Sequence, residues 1–491
     1  MTADPQARLA AAEQEILARR PEHSIEPTLD RIRALTELLG DPQRAYPVIH
    51  ITGTNGKTSS ARMIETLLRA RGLRTGLFTS PHLSSIRERI CVDGEALSAE
   101  RFADAYDELV PYLDLVDASQ PVRLSFFEVL TAMAFAVFAD APVDVAVIEV
   151  GVGGTWDCTN VADGAVAVVT PISIDHTRYL GSTIPAIATD KAGIIKPGSV
   201  AVLAQQQLEA AEVLLRRIAE VGATVAREGL EFGVTSRELA IGGQLLGVQG
   251  LLGSYEELFL PLFGAYQASN AACALAAVEA FAGAAAASGA SPDGGASPDA
   301  GAGQAGGARA DGEPGALDDD LVRQAFSEMS SPGRLEVVRR SPLVIVDSAH
   351  NPAGMAATVA ALSEAFTVSG LVAVIAISED KDVPGILDEL EPVAARLIVT
   401  GNSSARSMEP GKLADLAASV FGPDRVTEAA RLDDAIEIAV RLTDEWDAGE
   451  ARGAGLPGSA AVLVTGSVVT AGDARRLLTG AAAEDPAPGP A

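Results

Sequence analysis

The feature that most constrains this chain is a strand–loop–helix signature close to its amino end. Apolar residues Val48–Ile51 run into Thr52-Gly53-Thr54-Asn55-Gly56-Lys57-Thr58, and a helix-forming stretch, SARMIETLLRAR, follows. Such a loop aims backbone N–H groups and the positive end of a helix at one point, which suits a polyphosphate. In that frame Thr54, Asn55 and Gly56 wrap the phosphates of a nucleotide. Lys57 neutralises the terminal phosphates, and the Thr58 hydroxyl reaches a magnesium ion. The match to G-x-x-x-x-G-K-[ST] is incomplete, because Ile51 stands at the first glycine position and Gly53 comes two residues later. An ordinary glycine turn is the bland alternative; the strand before and the helix after favour nucleotide binding.

Apolar runs at 47–53, 75–80, 143–151 and 165–174 read as buried strands, with helices expected over 57–71 and 101–116. Continuous Val/Ile-rich runs separated by helices are what a parallel sheet covered on both faces requires. The expected class is therefore α/β. Residues 282–316 are almost only Ala, Gly, Ser, Pro and Asp. Such a stretch cannot offset its ordering entropy and reads as a disordered surface insertion. The alternation resumes after SPGRLE (331–336), with strand runs at 342–350, 371–377, 396–401 and 461–467. The expected organisation is a helical segment over 1–45, a P-loop-containing, mostly parallel sheet domain over 46–330, a smaller Rossmann-like α/β domain over 331–480, and a disordered tail over 481–491.

Charge narrows the function. The chain has 37 basic and 66 acidic residues, a net −29. A duplex-binding protein needs basic surface to displace counterions, and an anionic membrane repels such a chain. Neither nucleic acid nor membrane is an expected partner. The first residues lack the basic start and apolar core of a signal peptide. The three cysteines, Cys91, Cys158 and Cys273, form no C-x-x-C pair and fit a reducing cytoplasm.

Polar residues follow three of the apolar runs: Ser80-Pro81-His82, then Glu149, then Asp175-His176. In a doubly wound sheet, ligands bind beyond the carboxyl ends of the strands. These residues should therefore gather beside the phosphate loop. Magnesium prefers oxygen ligands and keeps phosphates and water as further ligands. Glu149 and the hydroxyls of Thr58 and Ser80 fit that preference. His176 is a less typical ligand, and on its own it reads first as a hydrogen-bonded core histidine.

An ordered set of segments then resembles the folylpolyglutamate synthase / dihydrofolate synthase family, relatives of the Mur ligases. The set is HSIEPTLDRI (23–32), GTNGKT, TSPHLSSIRERI (79–90), IEVGVGGTWDCTN (148–160), SIDH (173–176), DKAGIIKPG (190–198), SPGRLE, DSAHNP (347–352), EDKD (379–382) and TGSVVTAG (465–472). The resemblance implies an ATP-dependent ligase that joins L-glutamate to the carboxylate of reduced folates through an acyl phosphate. It implies two magnesium ions, with Ser80, Glu149 and His176 as ligands and Lys191 carried as a carbamate; a monovalent cation is a further expectation. Asn270, Arg334 and Asp347 would hold the nucleotide. His350 would lie near the glutamate and join Lys57 and Lys191 in the catalytic set. Ser24, Ile25, Glu26, Pro27, Ser125, Phe126 and Phe127 would hold the pterin-bearing substrate, with His82 and Trp156 beside them. Aromatic faces stacking on a flat pterin are sound physics; without the resemblance, Phe126 and Phe127 read as core. By analogy the 331–480 unit is a glutamate-ligase domain and the enzyme a cytoplasmic monomer.

Three positions depart from the family pattern. Thr155 stands where many bifunctional members carry Arg, Tyr266 where His is common, and Asp190 where Glu is usual. The first removes a cation near the substrate, so activity on dihydropteroate is a separate expectation. Two rivals remain at this stage. One is a Mur-type UDP-muramoyl ligase, although little chain precedes the phosphate loop for a UDP-binding domain. The other is a non-catalytic ATP-binding regulator, which fold alone does not exclude.

Overall fold

The computed structural model describes residues 4–22, 24–287, 316–450 and 460–480. His23, most of the expected insertion over 282–316, and the expected tail over 481–491 lie outside the described residues. The described chain forms two compact units. The first takes its residues from Met1–Ser80, Arg89–Pro261 and Gln267–Met329; the second from Pro81–Glu88, Leu262–Tyr266 and Ser330–Ala491.

In the first unit, helices α1 (Pro5–Leu17) and α2 (Asp30–Leu38) precede strand β1 (Val48–Thr52) and helix α3 (Lys57–Ala70). There follow β2 (Thr75–Phe78), β3 (Ile90–Val92), β4 (Glu95–Ala96), α4 (Ala99–Ser119), α5 (Phe126–Asp140), β5 (Val145–Glu149), β6 (Gly164–Val169), β7 (Val200–Leu203) and β8 (Thr224–Arg227). The sheet order is β4-β3-β2-β5-β1-β6-β7-β8. All pairings from β2 across to β8 are parallel, and only the β3 and β4 edge is antiparallel. Every residue of β1, β2 and β5 is buried, which is why these strands are mostly apolar, His50, Thr52, Thr75 and Glu149 excepted. Strands β2 and β5 lie on one side of β1, and β6 to β8 on the other. The order reverses at β1, and its carboxyl end is where a crevice opens.

The observed elements correct three expectations. The run 165–174 is not strand throughout: β6 stops at Val169. Thr170 N–H still reaches Thr52 of β1 at 2.9 Å, and from Pro171 on the backbone bonds to the phosphate loop. Thr54 N–H donates to the Pro171 carbonyl at 3.0 Å, and the Thr54 hydroxyl exchanges bonds with the Ser173 carbonyl and N–H, each at 3.0 Å. The helix that starts at Ala265 runs to Ala287, into the stretch expected to be disordered; its run of alanines is the best of helix formers. An antiparallel meander of β9 (Gly233–Ala240), β10 (Gly243–Gln249) and β11 (Ser254–Leu260) was not expected. Half of its residues face solvent, so it lacks the apolar runs that mark the buried strands.

The second unit contains β12 (Glu336–Arg340), β13 (Leu343–Val346), β14 (Leu371–Ile375), β15 (Arg396–Val399), β16 (Val426–Glu428) and β17 (Ala461–Thr465). Their order is β12-β13-β17-β14-β15-β16, parallel except for β12. Alternate residues feed two cores. Ile345, Ala373, Ile375, Leu397, Val399 and Leu463 pack with the helices at 352–365, 383–390 and 410–421. Val344, Val346, Val372, Val374, Ile398 and Val462 pack with those at 432–450 and 468–479.

The segment 81–88 belongs to this unit despite its place in the chain. Leu83 packs into the second of those cores. The Glu88 carboxylate accepts the N–H groups of Leu83, Ser84 and Ser85 at 2.9–3.0 Å and fixes the loop. A Cβ on Gly472 would fall 2.0 Å from the Leu83 carbonyl oxygen. Gly to Ala in a helix interior ordinarily stabilises by up to about 1 kcal/mol. Here Gly472→Ala should destabilise by about 1–3 kcal/mol through overpacking, read as a lower midpoint in denaturant titration.

Candidate active site

The site is built at the carboxyl end of β1. Gly53 turns the chain with φ 144°, and a Cβ there would lie 1.8 Å from the Thr170 hydroxyl oxygen. Gly56 caps α3 in the left-handed region, φ 88°. A Cβ at Gly56 would lie 2.6 Å from the Asn270 side-chain oxygen, so only glycine brings that amide against the loop. Asn270 is held in turn: its Nδ2 donates to the Gln267 side-chain oxygen at 3.1 Å. The Asn55 amide reaches the Ser173 hydroxyl at 3.5 Å.

Two lysines converge on the same backbone oxygen. Lys57 Nζ donates to the carbonyls of Gly53 and Thr54, both at 3.1 Å. Lys191 Nζ donates to the Gly53 carbonyl at 2.7 Å and is only 4% exposed. Burial, and then the nearby charge of Lys57, lower the Lys191 pKa to about 7.

Glu149, at the end of β5, is 1% exposed. Its carboxylate accepts the Thr58 hydroxyl at 2.9 and 3.0 Å and the Ser80 N–H at 3.2 Å. Thr58, Ser80 and Glu149, from three separate elements, therefore meet. His176 heads a short helix with φ 50°. Its ring nitrogen lies 3.9 Å from the Asp175 carboxylate, and its side chain is 36% exposed, so it is not a core histidine. Among the described residues, no three His, Cys, Asp or Glu side chains cluster as a metal site. Thr58 and Glu149 instead bring one hydroxyl and one carboxylate together, with the Ser80 backbone N–H against them. That hydroxyl and carboxylate fit magnesium, which completes its shell with phosphate oxygens and water.

The loop after β5 carries Thr155 and Trp156. The Thr155 hydroxyl donates to the Asp190 carbonyl at 2.8 Å, and Asn160 holds the Thr155 carbonyl at 3.0 Å. Burial raises the Asp190 pKa, while hydrogen bonds from Gly154, Thr155 and the Trp156 side chain offset part of that rise.

The segments at 24–27 and 125–127 also lie in the first unit. Ser24, Glu26 and Pro27 are exposed. Ser125 caps α5 and forms a capping box with Glu128. Phe126 is buried beneath the Arg89 guanidinium, 5.0 Å from its ring centre. Phe127 packs on Phe78 at 5.7 Å.

The remaining residues lie in the second unit. The Asp347 carboxylate, 2% exposed, accepts Leu335 N–H at 3.0 Å, Ala349 N–H at 2.9 Å and the Thr358 hydroxyl at 2.8 Å. It locks β13 to the SPGRLE turn that carries Arg334. His350 Nδ1 lies 3.0 Å from the Ser348 carbonyl. His82 sits partly buried on the loop fixed by Glu88. Thr170, Ser173 and Gln267 support the loop but escaped the sequence reading; each is an ordinary polar residue until folding sets it against Gly53, Thr54 or Asn270.

The Mur ligase middle domain model matches residues 122–278. The Mur ligase, glutamate ligase domain model matches 333–468. The fold and the matched domains thus define a member of the Mur ligase superfamily. More narrowly, the chain belongs to the dihydrofolate synthase/folylpolyglutamate synthase family. It is 47% identical over 489 residues to the dihydrofolate synthase/folylpolyglutamate synthase of Mycobacterium tuberculosis, covering 97% of this chain and 95% of the relative. It is 34% identical over 361 residues to the folylpolyglutamate synthase of Lacticaseibacillus casei, covering 73% and 78%. The structure of the M. tuberculosis synthase complexed with ADP superposes with a TM-score of 0.87 at 47% identity, over 97% of this chain and 99% of that one. A solved complex of a folylpolyglutamate synthase with AMPPCP and folate gives 0.75 at 28% identity, over 96% and 99%. Family membership sets aside the UDP-muramoyl rival.

Two outcomes are expected. Gly56→Ala should weaken binding of an ATP analogue at least tenfold, about 1.4 kcal/mol, by titration calorimetry. The second concerns pH. The unfolded chain keeps Lys191 protonated up to about 10.5, whereas the fold disfavours that proton above about 7. The penalty is full below the lower value and fades as pH rises to the upper one. In CO₂-free buffer the wild type should therefore gain stability over Lys191→Met across that window, by a few kcal/mol in order of magnitude, measured by denaturant titration.

Proposed function

We propose that this protein is an ATP-dependent ligase that adds L-glutamate to the carboxylate of reduced folates. The observation that carries the reading is the buried Glu149 carboxylate joined to Thr58 of the phosphate loop and to Ser80, in a chain of this family. The first unit binds the nucleotide and the second is the glutamate-ligase unit.

A carboxylate oxygen of the folate attacks the γ-phosphorus of ATP, and ADP leaves. The amine of L-glutamate then attacks the acyl carbon, loses a proton, and inorganic phosphate departs from the tetrahedral intermediate. Such phosphoryl transfer needs positioning and charge neutralisation more than covalent help. In the binding state Lys57 turns from the loop carbonyls to the β- and γ-phosphates. The N–H groups of Asn55 to Thr58 face the same phosphates at the head of α3. In the first unit Asn270 holds a further part of the nucleotide; Arg334, Asp347 and His350 are the second unit's own candidates for nucleotide and glutamate. Thr58, Ser80, Glu149 and His176 would hold two magnesium ions, which supply positive charge to the phosphates when bound. Lys191 is buried, and its pKa of about 7 leaves a large share of it near pH 7 as the neutral amine, the form that combines with CO₂. As a carbamate it becomes an anionic oxygen ligand. Fixing carboxylate, phosphate and amine in line contributes ~7–11 kcal/mol in favourable cases. The pterin rests on segments Ser24–Pro27 and Ser125–Phe127, with Trp156 beside it. We place the enzyme in the cytoplasm as a monomer; no helix among the described residues is long and apolar enough to cross a membrane.

A second reading, that dihydropteroate is also a substrate, is favoured by the M. tuberculosis relative, whose name carries both activities. Thr155 bears on it, because its hydroxyl is spent on the Asp190 carbonyl and brings no charge to the loop.

Mg·ATP-dependent phosphate release with L-glutamate tests both. Release with a reduced folate supports the main reading, and release with dihydropteroate in a separate reaction supports the second. No release with either, from folded protein that binds ATP, would leave a nucleotide-binding regulator.

A further inference from the structure

Arginines and carboxylates form a network between α2 and the start of α5. Arg31, on α2, is 5% exposed. Its Nε donates to both oxygens of Glu128, at 3.0 and 3.2 Å. Its NH1 donates to Glu26 at 2.9 Å. Arg20 donates to the same Glu26 oxygen at 2.7 Å and lies 4.0 Å from Glu128. The Arg20 carbonyl accepts the Phe126 N–H at 3.0 Å. Arg89, 2% exposed, pairs with Glu22 at 2.8 Å and covers the Phe126 ring.

The network joins two stretches that have little of their own to hold them. Residues 24–27 lie in no helix or strand, and Ser24, Glu26 and Pro27 are exposed. Residues 125–127 open α5, and their course is set by the capping box, in which Glu128 accepts the Ser125 N–H at 2.8 Å. Glu128 thus has two duties: it caps the helix and receives Arg31. A planar guanidinium presents donors in a rigid fork, so it fixes two carboxylates at once where an ammonium would not.

We propose that Arg31 is a positioning residue for the folate: by holding Glu26 and Glu128 in one geometry, it sets segments Ser24–Pro27 and Ser125–Phe127 in register as a preformed surface for the pterin. This rests on the reading of those segments as the pterin site. A buried ion pair is weak ground for a role in stability, since apolar replacements are often neutral. Positioning explains better why such a pair joins these two segments. Preformed geometry lowers the ordering cost of binding, so its loss appears in the affinity for that substrate alone.

Removing Arg31 by itself leaves a buried carboxylate unpaired and endangers folding. The test therefore uses the double variant Arg31→Met/Glu128→Gln, which removes both charges and keeps an acceptor for the cap, beside Arg31→Lys and Phe127→Ala. Stability and the KM values for ATP and reduced folate are measured for each. The double variant should fold, keep its KM for ATP within twofold, and raise its KM for folate tenfold or more; Arg31→Lys should fall between it and the wild type. A purely structural role would lower stability without splitting the two KM values, and that result would overturn the proposal. Phe127→Ala separates the two ideas. If it raises the KM for folate and the double variant does not, the positioning role alone fails. If neither does, the pterin assignment fails with it.

Discussion

The structure depends on one buried carboxylate. Glu149 lies at the end of a strand with almost no exposure, where an ionised group is tolerated only if it is hydrogen-bonded or paired. The fold meets that demand with the Thr58 hydroxyl from the head of α3 and the Ser80 N–H from beyond β2. Satisfying one charge thereby draws three strand-end segments together. The phosphate loop is shaped from its other side by Thr170, Pro171 and Ser173. These are free for that purpose because β6 ends early.

A second arrangement serves the same end. Lys57 and Lys191 both donate to the Gly53 carbonyl, so two cations share one small volume. Burial beside a like charge is why Lys191 gives up its proton so readily. The loop therefore holds two lysine amines against one carbonyl, and burial makes Lys191 the easier to deprotonate.

Much of this was legible in the residues. Buried parallel strands are mostly apolar runs, so β1, β2, β5, β13, β14, β15 and β17 stood out, and the rule of carboxyl ends brought Glu149 and Ser80 to Thr58. What was not legible depends on partners far apart in the chain. Nothing in Pro81–Glu88 signals that it packs with the second unit; that follows from Leu83 meeting Gly472. Arg31 reads as one charge on an amphipathic helix, and its partner Glu128 lies 97 residues away. The meander β9–β11 was missed because its exposed faces break the apolar pattern. The Ala-rich start of the expected insertion was misjudged because small apolar residues form helix as readily as they form linkers.

The central claim is that ATP drives ligation through an acyl phosphate formed on the folate carboxylate. Reduced folate labelled with ¹⁸O in its terminal carboxyl group, turned over with ATP and L-glutamate, tests it directly by mass spectrometry of the released phosphate. The account predicts one labelled oxygen in each phosphate, carried from the carboxylate that attacked the γ-phosphorus. Glutamylated product with unlabelled phosphate would contradict it.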